Sequence, residues 1–288
     1  MFYFDLMSYI CVNGKILKAK NPVLYANNRG FRYSDGLFET MKVVNRKIPL
    51  GSYHFERLFN GLELLGIKLP GLVTDALLEA QILDLCRQNS TSELSRVRLT
   101  VYAGNGDLIN KNDEAGYIIE SDSLFKTRDI INNEGLVIGV CPDIRKSIDK
   151  LSNIKSLNFL PYTMGAKYAN ENGLDDSIIL NSEERVADTT IANLFLINGN
   201  QIITPALAEG CVGGVMRRYL VEKMRDQEID VKETRVTVSD VENADEIFLT
   251  NAVRGIRWVG RMGEKEYQNK IGKDIFERFV KTIPGWFC

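Results

Sequence analysis

Two short segments carry residues that could do chemistry together. Lys155 ends an extended segment in the run Lys-Ser-Leu-Asn, and a helix is predicted to follow it. Asp188 comes later, in the run Asp-Thr-Thr-Ile-Ala-Asn that leads into an apolar strand. A lysine amine can form a Schiff base with an aldehyde, and a carboxylate can pair with a pyridinium nitrogen, which are two services that pyridoxal phosphate requires. Taken singly, Lys155 has the plainer interpretation of a surface lysine, and Asp188 that of a turn residue.

A phosphate group also needs donors, and three other segments offer them. Residues 210–214 form a glycine-rich turn that leads into a predicted helix, whose first N–H groups have no partners within the helix. Thr250, Asn251 and Ala252 end an apolar strand and could add hydroxyl and backbone donors. Arg57 lies on an earlier predicted helix, and its planar guanidinium suits a phosphate. Each segment also has a simpler explanation, since glycines begin many helices and arginines commonly lie on a solvated helix face.

The composition narrows the class of protein. The 288 residues carry a net charge of -2, which gives no basic footprint for nucleic acid, and no run of Lys and Arg is present to bind an acidic membrane surface. The five cysteines are scattered without a C-x-x-C pair, so we expect a cytoplasmic protein and neither a disulfide framework nor a zinc site. His54 is the single histidine, and no metal-ligand spacing is found, so no metal site is predicted.

The pattern of elements predicts an α+β fold with two domains. In the first half, the predicted elements are a strand within 1–10, a hairpin at 12–16, helices at 53–65 and 75–88, and strands at 37–44, 96–103 and 117–120. In the second half, strands are predicted at 136–141, 178–180, 193–197, 201–204 and 246–250, and helices at 161–172, 214–225 and after 271. The strands at 178–180, 193–197 and 201–204 are expected to close a small barrel. The polar, turn-rich residues 123–134 are interpreted as a linker between an N-terminal domain, 1–122, and a C-terminal domain, 135–288.

Together these segments resemble the class IV aminotransferases, the fold-type IV pyridoxal phosphate enzymes. The matching motifs are Arg29-Gly-Phe-Arg-Tyr-Ser-Asp35-Gly36-Leu-Phe38-Glu39-Thr40, His54-x-x-Arg57-Leu, Lys155-Ser-Leu-Asn158, Asn193-Leu-Phe-x-Ile, Gly214-Val-Met-Arg217 and Thr250-Asn-Ala252. They occur in the family's order and cover nearly the whole chain, which makes the set far more specific than any one motif.

The resemblance implies a smaller N-terminal α/β sandwich and a larger C-terminal pseudo-barrel domain, with pyridoxal 5'-phosphate in the cleft between them. It also implies a homodimer whose partner chain helps to close the site around a small amino-bearing carboxylate. The implied catalytic residues are Lys155, which forms the aldimine and carries the proton, and Thr40. The implied cofactor-binding residues are Lys155, Asp188, Arg57, Asn193, Gly214, Val215, Met216, Thr250, Asn251 and Ala252, and the implied substrate-binding residues are Phe38 and Arg98.

Three positions differ from patterns within the family. The family usually has glutamate where Asp188 stands, and aspartate is shorter by one C–C bond, about 1.5 Å. The branched-chain branch often has a tyrosine shortly after the lysine, and Phe159 cannot replace its hydroxyl. The D-amino-acid branch holds the substrate carboxylate with an arginine near Ala103, where this chain has alanine. Arg98 is the candidate for a substrate carboxylate here, although an outward-facing strand residue explains it nearly as well.

Three functions follow as hypotheses. The first is a transaminase that moves an amino group between an amino acid, with the branched-chain amino acids as one class, and a 2-oxo acid. The second is 4-amino-4-deoxychorismate lyase, which forms 4-aminobenzoate and pyruvate, and Thr40, Asn158 and Asn251 look more like that branch. The third is a non-catalytic binding protein that keeps the fold, which the change to Asp188 leaves open. We rank the transaminase first only because it is the commoner activity of the family, since fold does not fix function.

Overall fold

The computed structural model describes residues 8–109, 115–124 and 131–287, and these fall into two compact units. Unit 1 is built from the described part of 1–127 together with 155–158 and 284–287. Unit 2 is built from the described part of 128–154 and from 159–283. The predicted Lys155 motif therefore belongs to unit 1, while the residues before and after it in the chain belong to unit 2.

A five-stranded antiparallel sheet forms the centre of unit 1. Its strands are β1 (Tyr9–Val12), β2 (Lys15–Lys18), β3 (Gly36–Val44), β4 (Leu94–Tyr102) and β5 (Gly116–Ser123), in the order β2-β1-β5-β4-β3. Asn13 and Gly14 join β1 to β2 with φ angles of 49° and 82°, which confirms the predicted hairpin turn. The outer side of β3 meets the Lys155 segment, because the Phe38 N–H donates to the Lys155 carbonyl at 2.9 Å.

The described residues of unit 1 also form three α-helices, namely α1 (Arg29–Tyr33), α2 (Gly51–Leu65) and α3 (Asp75–Gln88). The start of α3 and the end of α2 are as predicted. Thr74 Oγ1 accepts a hydrogen bond from the Leu77 N–H at 3.2 Å, and Gly66 ends α2 with a φ of 67°. α2 packs on β3, and α3 packs on β1 and β5. The buried apolar side chains of these helices include Phe55, Leu58, Leu62, Leu78, Ile82 and Leu85.

A nine-stranded sheet forms the centre of unit 2. Its strands are β6 (Leu136–Lys146), β7 (Asp176–Asn181), β8 (Val186–Thr189), β9 (Asn193–Asn198), β10 (Gln201–Pro205), β11 (Val231–Thr234), β12 (Glu246–Asn251), β13 (Gly255–Met262) and β14 (Lys265–Glu266). The order is β11-β10-β9-β12-β13-β6-β7-β8, and β14 pairs with β13. Val186 at the end of this path shares one core with Leu196 on β9, so the sheet curls over on itself. This confirms the expected pseudo-barrel.

The helices of unit 2 are α4 (Leu160–Glu171), α5 (Val215–Asp226), α6 (Val238–Asn243) and α7 (Ile271–Ile275). α4 has Pro161 in its first turn, where the missing N–H costs no hydrogen bond. α5 begins directly after Gly214, as predicted. A 3₁₀ turn lies at Leu207–Glu209, and α7 continues into a π-helical turn at Phe276–Val280.

One strand is longer than the sequence indicated, and it matters for the site. The predicted strand ends at Cys141, and the next residue is Pro142, which cannot donate to a ladder. In the structure β6 reaches Lys146, with an irregular register between Val140 and Arg145 that accommodates the proline. Residues 1–7 of the predicted first strand and 125–130 of the predicted linker lie outside the described residues, so the domain boundaries stay a prediction. No helix in the described part of the chain is both long and apolar enough to cross a membrane.

Candidate active site

Lys155 lies beside the edge strand of unit 1. Its carbonyl accepts a hydrogen bond from Phe38, and the next residue, Ser156, forms a bridge with Leu37. Lys155 Nζ lies 4.5 Å from the centre of the Phe38 ring, and Arg98 Cζ lies 3.7 Å from the centre of the same ring. An aromatic face attracts cations at such distances. Three of the predicted residues, Lys155, Phe38 and Arg98, therefore meet at one place in unit 1.

Thr40 lies opposite Arg98 in the register of β3 and β4. Directly opposed residues of an antiparallel pair project to the same face of a sheet, and so do alternate residues of one strand. Phe38, Thr40 and Arg98 therefore share a face. Burial lowers the pKa of the Arg98 guanidinium, and the charge of Glu120 on β5 acts in the opposite direction. A partly buried guanidinium with an aromatic neighbour is well suited to bind a carboxylate.

Arg57 on α2 is bound to a buried carboxylate of β3. Its Nε and Nη2 donate to Glu39 Oε1 and Oε2 at 2.7 and 2.5 Å, and His54 Nδ1 lies 2.7 Å from Oε2. Burial by itself raises the pKa of Glu39, but Arg57 and His54 bring it down to about 2. Burial lowers the pKa of His54. Because this edge of the guanidinium is engaged by Glu39, the expected role of Arg57 at a phosphate stays a prediction.

Asp188 on β8 is the centre of a buried polar cluster in unit 2. Its Oδ2 accepts hydrogen bonds from the Tyr162 hydroxyl at 3.0 Å and from the Val212 N–H at 2.9 Å. Lys146 Nζ lies 3.7 Å from the same oxygen and donates to the Tyr162 hydroxyl at 2.5 Å. Burial and the charge of Asp188 raise the pKa of Tyr162 well above its usual value, so the phenol stays protonated and donates to the carboxylate. The cluster therefore holds a carboxylate in one orientation, as a ring-nitrogen partner requires.

The glycine-rich turn is connected to Asp188 through Val212. The Val212 N–H donates to Asp188, and the Val212 carbonyl accepts from Asn193 Nδ2 at 2.8 Å. Gly214 then begins α5 without a side-chain cap. A Cβ at Gly214 would lie 1.8 Å from Asn193 Oδ1, so only glycine fits at this position. The predicted ring-nitrogen acid and the predicted phosphate turn are thus one hydrogen-bonded assembly.

Thr250 on β12 offers a buried hydroxyl. Its Oγ1 has no hydrogen-bond partner among the residues that the structure describes. A buried donor without a partner costs free energy, so this atom marks a place where a ligand can complete the hydrogen bonding. The side chain of Asn251 instead closes a turn around Ala252, because its Oδ1 accepts from the N–H groups of Val253 and Arg254 at 3.1 and 2.8 Å.

The chemistry of these groups fits pyridoxal phosphate. The Thr250 hydroxyl and the first N–H groups of α5, at Val215 and Met216, are donors suited to a phosphate. Asp188 is suited to a ring nitrogen, and Lys155 supplies the amine. Within the described ranges, no group of three or more His, Cys, Asp or Glu side chains is arranged to hold a metal ion. Unit 2 therefore carries donors suited to the phosphate and ring nitrogen of such a cofactor, and unit 1 carries a suitable amine.

Three side chains of the two clusters were not predicted in these roles. Glu39 stands inside a quoted motif, but its pairing with Arg57 depends on strand β3 lying against α2. Lys146 was missed because β6 was expected to end earlier. Tyr162 was missed because an aromatic residue on an amphipathic helix is usually a core residue, and the sequence gives no sign that its hydroxyl reaches Asp188.

Comparison with known proteins identifies the family. Residues 36–262 match the family Amino-transferase class IV, and the chain belongs to this family of enzymes. It is 28% identical to the aminodeoxychorismate lyase of Bacillus subtilis (strain 168) over 269 residues, which cover 92% of this chain and 90% of that protein. Its fold is similar to that of the branched-chain aminotransferase of the archaeon Thermoproteus uzoniensis, with a TM-score of 0.87, 21% identity, and 96% and 95% of the two chains covered.

A further solved structure with the same fold is the branched-chain amino acid aminotransferase of Escherichia coli. The TM-score is 0.84 at 18% identity, and the match covers 98% of this chain and 96% of that chain. At this level of identity, both structural matches establish the fold, which confirms the expected fold-type IV class.

Proposed function

We propose that the chain is a pyridoxal phosphate-dependent transaminase, which moves an amino group between an amino acid and a 2-oxo acid. The main support for the proposal is that Lys155 and Arg98 both lie against the ring of Phe38 in unit 1. It places an amine beside a guanidinium that can hold a substrate carboxylate. Membership in the class IV family supports the cofactor and the class of reaction.

Each group of the proposed site has a defined task. Lys155 Nζ holds the cofactor covalently, and Asp188 pairs with its ring nitrogen. Thr250 Oγ1 and the first N–H groups of α5 hold its phosphate. When bound, pyridoxal phosphate supplies an electron sink for negative charge at the reacting carbon of the substrate. Once the substrate amine has displaced it from the cofactor, Lys155 Nζ would take the proton from that carbon and deliver it to C4′ of the cofactor, acting first as general base and then as general acid.

The second candidate is 4-amino-4-deoxychorismate lyase. Thr40 favours it, because its side chain shares a sheet face with Phe38 and Arg98 and so offers a hydroxyl where the substrate carboxylate is proposed to bind. The similarity to the Bacillus subtilis aminodeoxychorismate lyase supports it as well. The non-catalytic alternative keeps the fold and lacks both activities.

The proposal includes a cytoplasmic homodimer. The segments around Arg29 and Asp107 in unit 1 are joined by a hydrogen bond from Arg29 Nη1 to the Asp107 carbonyl at 2.9 Å. They carry large exposed apolar side chains, among them Phe31 and Ile109, which are 72% and 88% exposed. Exposed apolar patches of this kind support a protein partner. The four described cysteines are buried free thiols, which supports a reducing compartment.

The two candidate reactions are separated by one experiment on the cofactor-loaded protein. A transaminase loses the visible colour of its cofactor when an amino acid from a panel of L- and D-forms is added, and a 2-oxo acid restores the colour. The lyase releases pyruvate from aminodeoxychorismate without a second substrate. Lys155→Ala should abolish either activity, whereas Lys150→Ala, at an exposed lysine of the same loop, is the matched control. Failure of every substrate in both assays would contradict both candidates and leave the non-catalytic alternative.

A further inference from the structure

A buried chain of three polar side chains, Lys146, Tyr162 and Asp188, crosses the interior of unit 2. Lys146 comes from the end of β6, Tyr162 from α4 and Asp188 from β8. Their relative exposures are 8%, 5% and 2%. Lys146 Nζ donates to the Tyr162 hydroxyl at 2.5 Å, and that hydroxyl donates to Asp188 Oδ2 at 3.0 Å. Side chains from β6 and α4 therefore converge on the carboxylate that β8 carries.

Stability alone is a poor explanation for this arrangement. Burying an ammonium group and a carboxylate is costly, and apolar residues of the same volume commonly stabilise a core as well or better. Tyr162 is also tied to the apolar side of α4, since its ring lies 4.3 Å from the ring of Phe159. The ring could pack in this way without its hydroxyl. What the hydroxyl and the ammonium group add is a fixed position for the Asp188 carboxylate.

A fixed position is what a short side chain needs here. An aspartate reaches about 1.5 Å less far than a glutamate, so it has less freedom to adjust to a ring nitrogen. The Val212 N–H holds the same oxygen from the glycine-rich turn at 2.9 Å. Tyr162 and Lys146 hold it from α4 and β6. Groups that orient a ligating side chain from behind commonly matter for affinity nearly as much as the ligating group itself.

We propose that Tyr162 and Lys146 are positioning residues for the cofactor, which act by fixing the orientation of the Asp188 carboxylate toward the ring nitrogen of pyridoxal phosphate. This inference rests on the proposed function. Neither residue touches the cofactor in the proposal, so each acts only through Asp188. Removing the hydroxyl or the ammonium group should therefore weaken cofactor binding, and it should do so only while residue 188 is an aspartate.

The experiment compares Tyr162→Phe and Lys146→Met with the control variants Tyr168→Phe and Lys167→Met. The controls change the same residue types further along α4, where Tyr168 is partly buried and Lys167 is exposed. For each protein, the dissociation constant of pyridoxal phosphate is measured by titration of the apoprotein, and the absorption maximum of the bound cofactor is recorded. We expect the constant to rise about tenfold or more for Tyr162→Phe and Lys146→Met, as for the loss of a hydrogen bond to a charged group. The absorption maximum should shift in these two variants, and both controls should match the wild type.

A double-mutant cycle separates positioning from general structural damage. In an Asp188→Asn background, adding Tyr162→Phe should change the dissociation constant by less than about twofold, since the anion that the hydroxyl holds is gone. The inference is overturned if Tyr162→Phe changes the dissociation constant by the same factor in the Asp188 and Asp188→Asn backgrounds. It is also overturned if both variants behave like their controls. Failure of the wild type itself to bind pyridoxal phosphate would instead reject the proposed function, so the two failures are distinguishable. Should Lys146→Met not fold, Tyr162→Phe, which keeps the ring and its packing, carries the test alone.

Discussion

Glu39→Gln removes one negative charge from the buried cluster of Glu39, Arg57 and His54 in unit 1, and its effect on stability can be worked out from the structure. The carboxylate is 1% exposed and is held by both nitrogens of one edge of the guanidinium. Glutamine has nearly the same shape, so the substitution changes charge and hydrogen bonding but not volume. Arg57 is 16% exposed, and the substitution removes the negative charge of Glu39 beside it.

Two independent routes give the same magnitude. The pKa of Glu39 falls from 4.5 to about 2 in the folded chain. At about 1.4 kcal/mol for each unit of pKa, this difference corresponds to about 3 kcal/mol of folding free energy. Breaking a buried ion pair by removing one partner costs about 3–5 kcal/mol, and the partial exposure of Arg57 favours the lower end. We therefore expect Glu39→Gln to lower the free energy of unfolding by about 3 kcal/mol at pH 7.

The sign of the pH dependence follows from the lowered pKa. The stabilisation by Glu39 is present above the unfolded value of 4.5 and is lost as the pH falls toward about 2. A glutamine side chain does not titrate in this range. The difference in the free energy of unfolding between the wild type and Glu39→Gln should therefore shrink to about 1 kcal/mol at pH 3. The assay is urea unfolding at pH 7, 5 and 3, followed by tryptophan fluorescence. The two tryptophans are Trp258 in unit 2 and Trp286 in unit 1, so a Trp258→Phe background makes the signal report on unit 1.

Glu120→Gln is the matched control in the same unit. Burial raises the pKa of Glu120, so its charge is disfavoured in the folded chain. Glu120→Gln should therefore leave the free energy of unfolding of unit 1 nearly unchanged at pH 7, or should raise it. The reasoning about the buried cluster would be refuted if Glu39→Gln lowered the free energy of unfolding by less than about 1 kcal/mol at pH 7. It would also be refuted if the difference from the wild type stayed constant between pH 5 and pH 3.

Three further predictions concern the proposed site. Thr250→Val should raise the dissociation constant of pyridoxal phosphate about tenfold, because a hydrogen bond to a charged group is lost. The apoprotein of this variant should unfold at the same or a higher temperature than the wild type, since Oγ1 has no described partner. Equal cofactor affinity would contradict the role of Thr250. Arg98→Met should raise KM for the carboxylate substrate about tenfold or more with little change in the cofactor spectrum, and steady-state kinetics check this. Thr40→Val should lower pyruvate release if the lyase assignment holds, whereas an unchanged rate would remove Thr40 from the reaction.

Local rules predicted those features of the fold that depend on a few neighbouring residues. Asn13-Gly14 specifies its hairpin because both residues accept positive φ angles. Thr74 and Gly66 mark helix ends because each satisfies backbone groups within its own turn. The close approach of Asn193 to the backbone of Gly214 is the type of contact that the sequence indicates, since a glycine-rich turn before a helix predicts a crowded backbone.

Features that depend on distant segments were not predictable in the same way. Lys42 Nζ donates to the Trp286 carbonyl at 2.8 Å across 244 residues of sequence, and no local pattern indicates that the end of the chain joins unit 1. The same holds for Tyr162 and Asp188, which come together only because α4 packs on β7. The resemblance to a family identified Asp188 as important, but the side chains that hold it were visible only in the structure.

The central claim is that Lys155 holds pyridoxal phosphate covalently. It is tested most directly by loading the purified protein with the cofactor, reducing it with borohydride, and mapping the digested peptides by mass spectrometry. We predict that the peptide containing Lys155 gains the pyridoxyl phosphate mass and that the Lys155→Ala protein gains none. A wild-type protein in which that peptide stays unmodified, or in which the label is spread over exposed lysines such as Lys150, would contradict the claim.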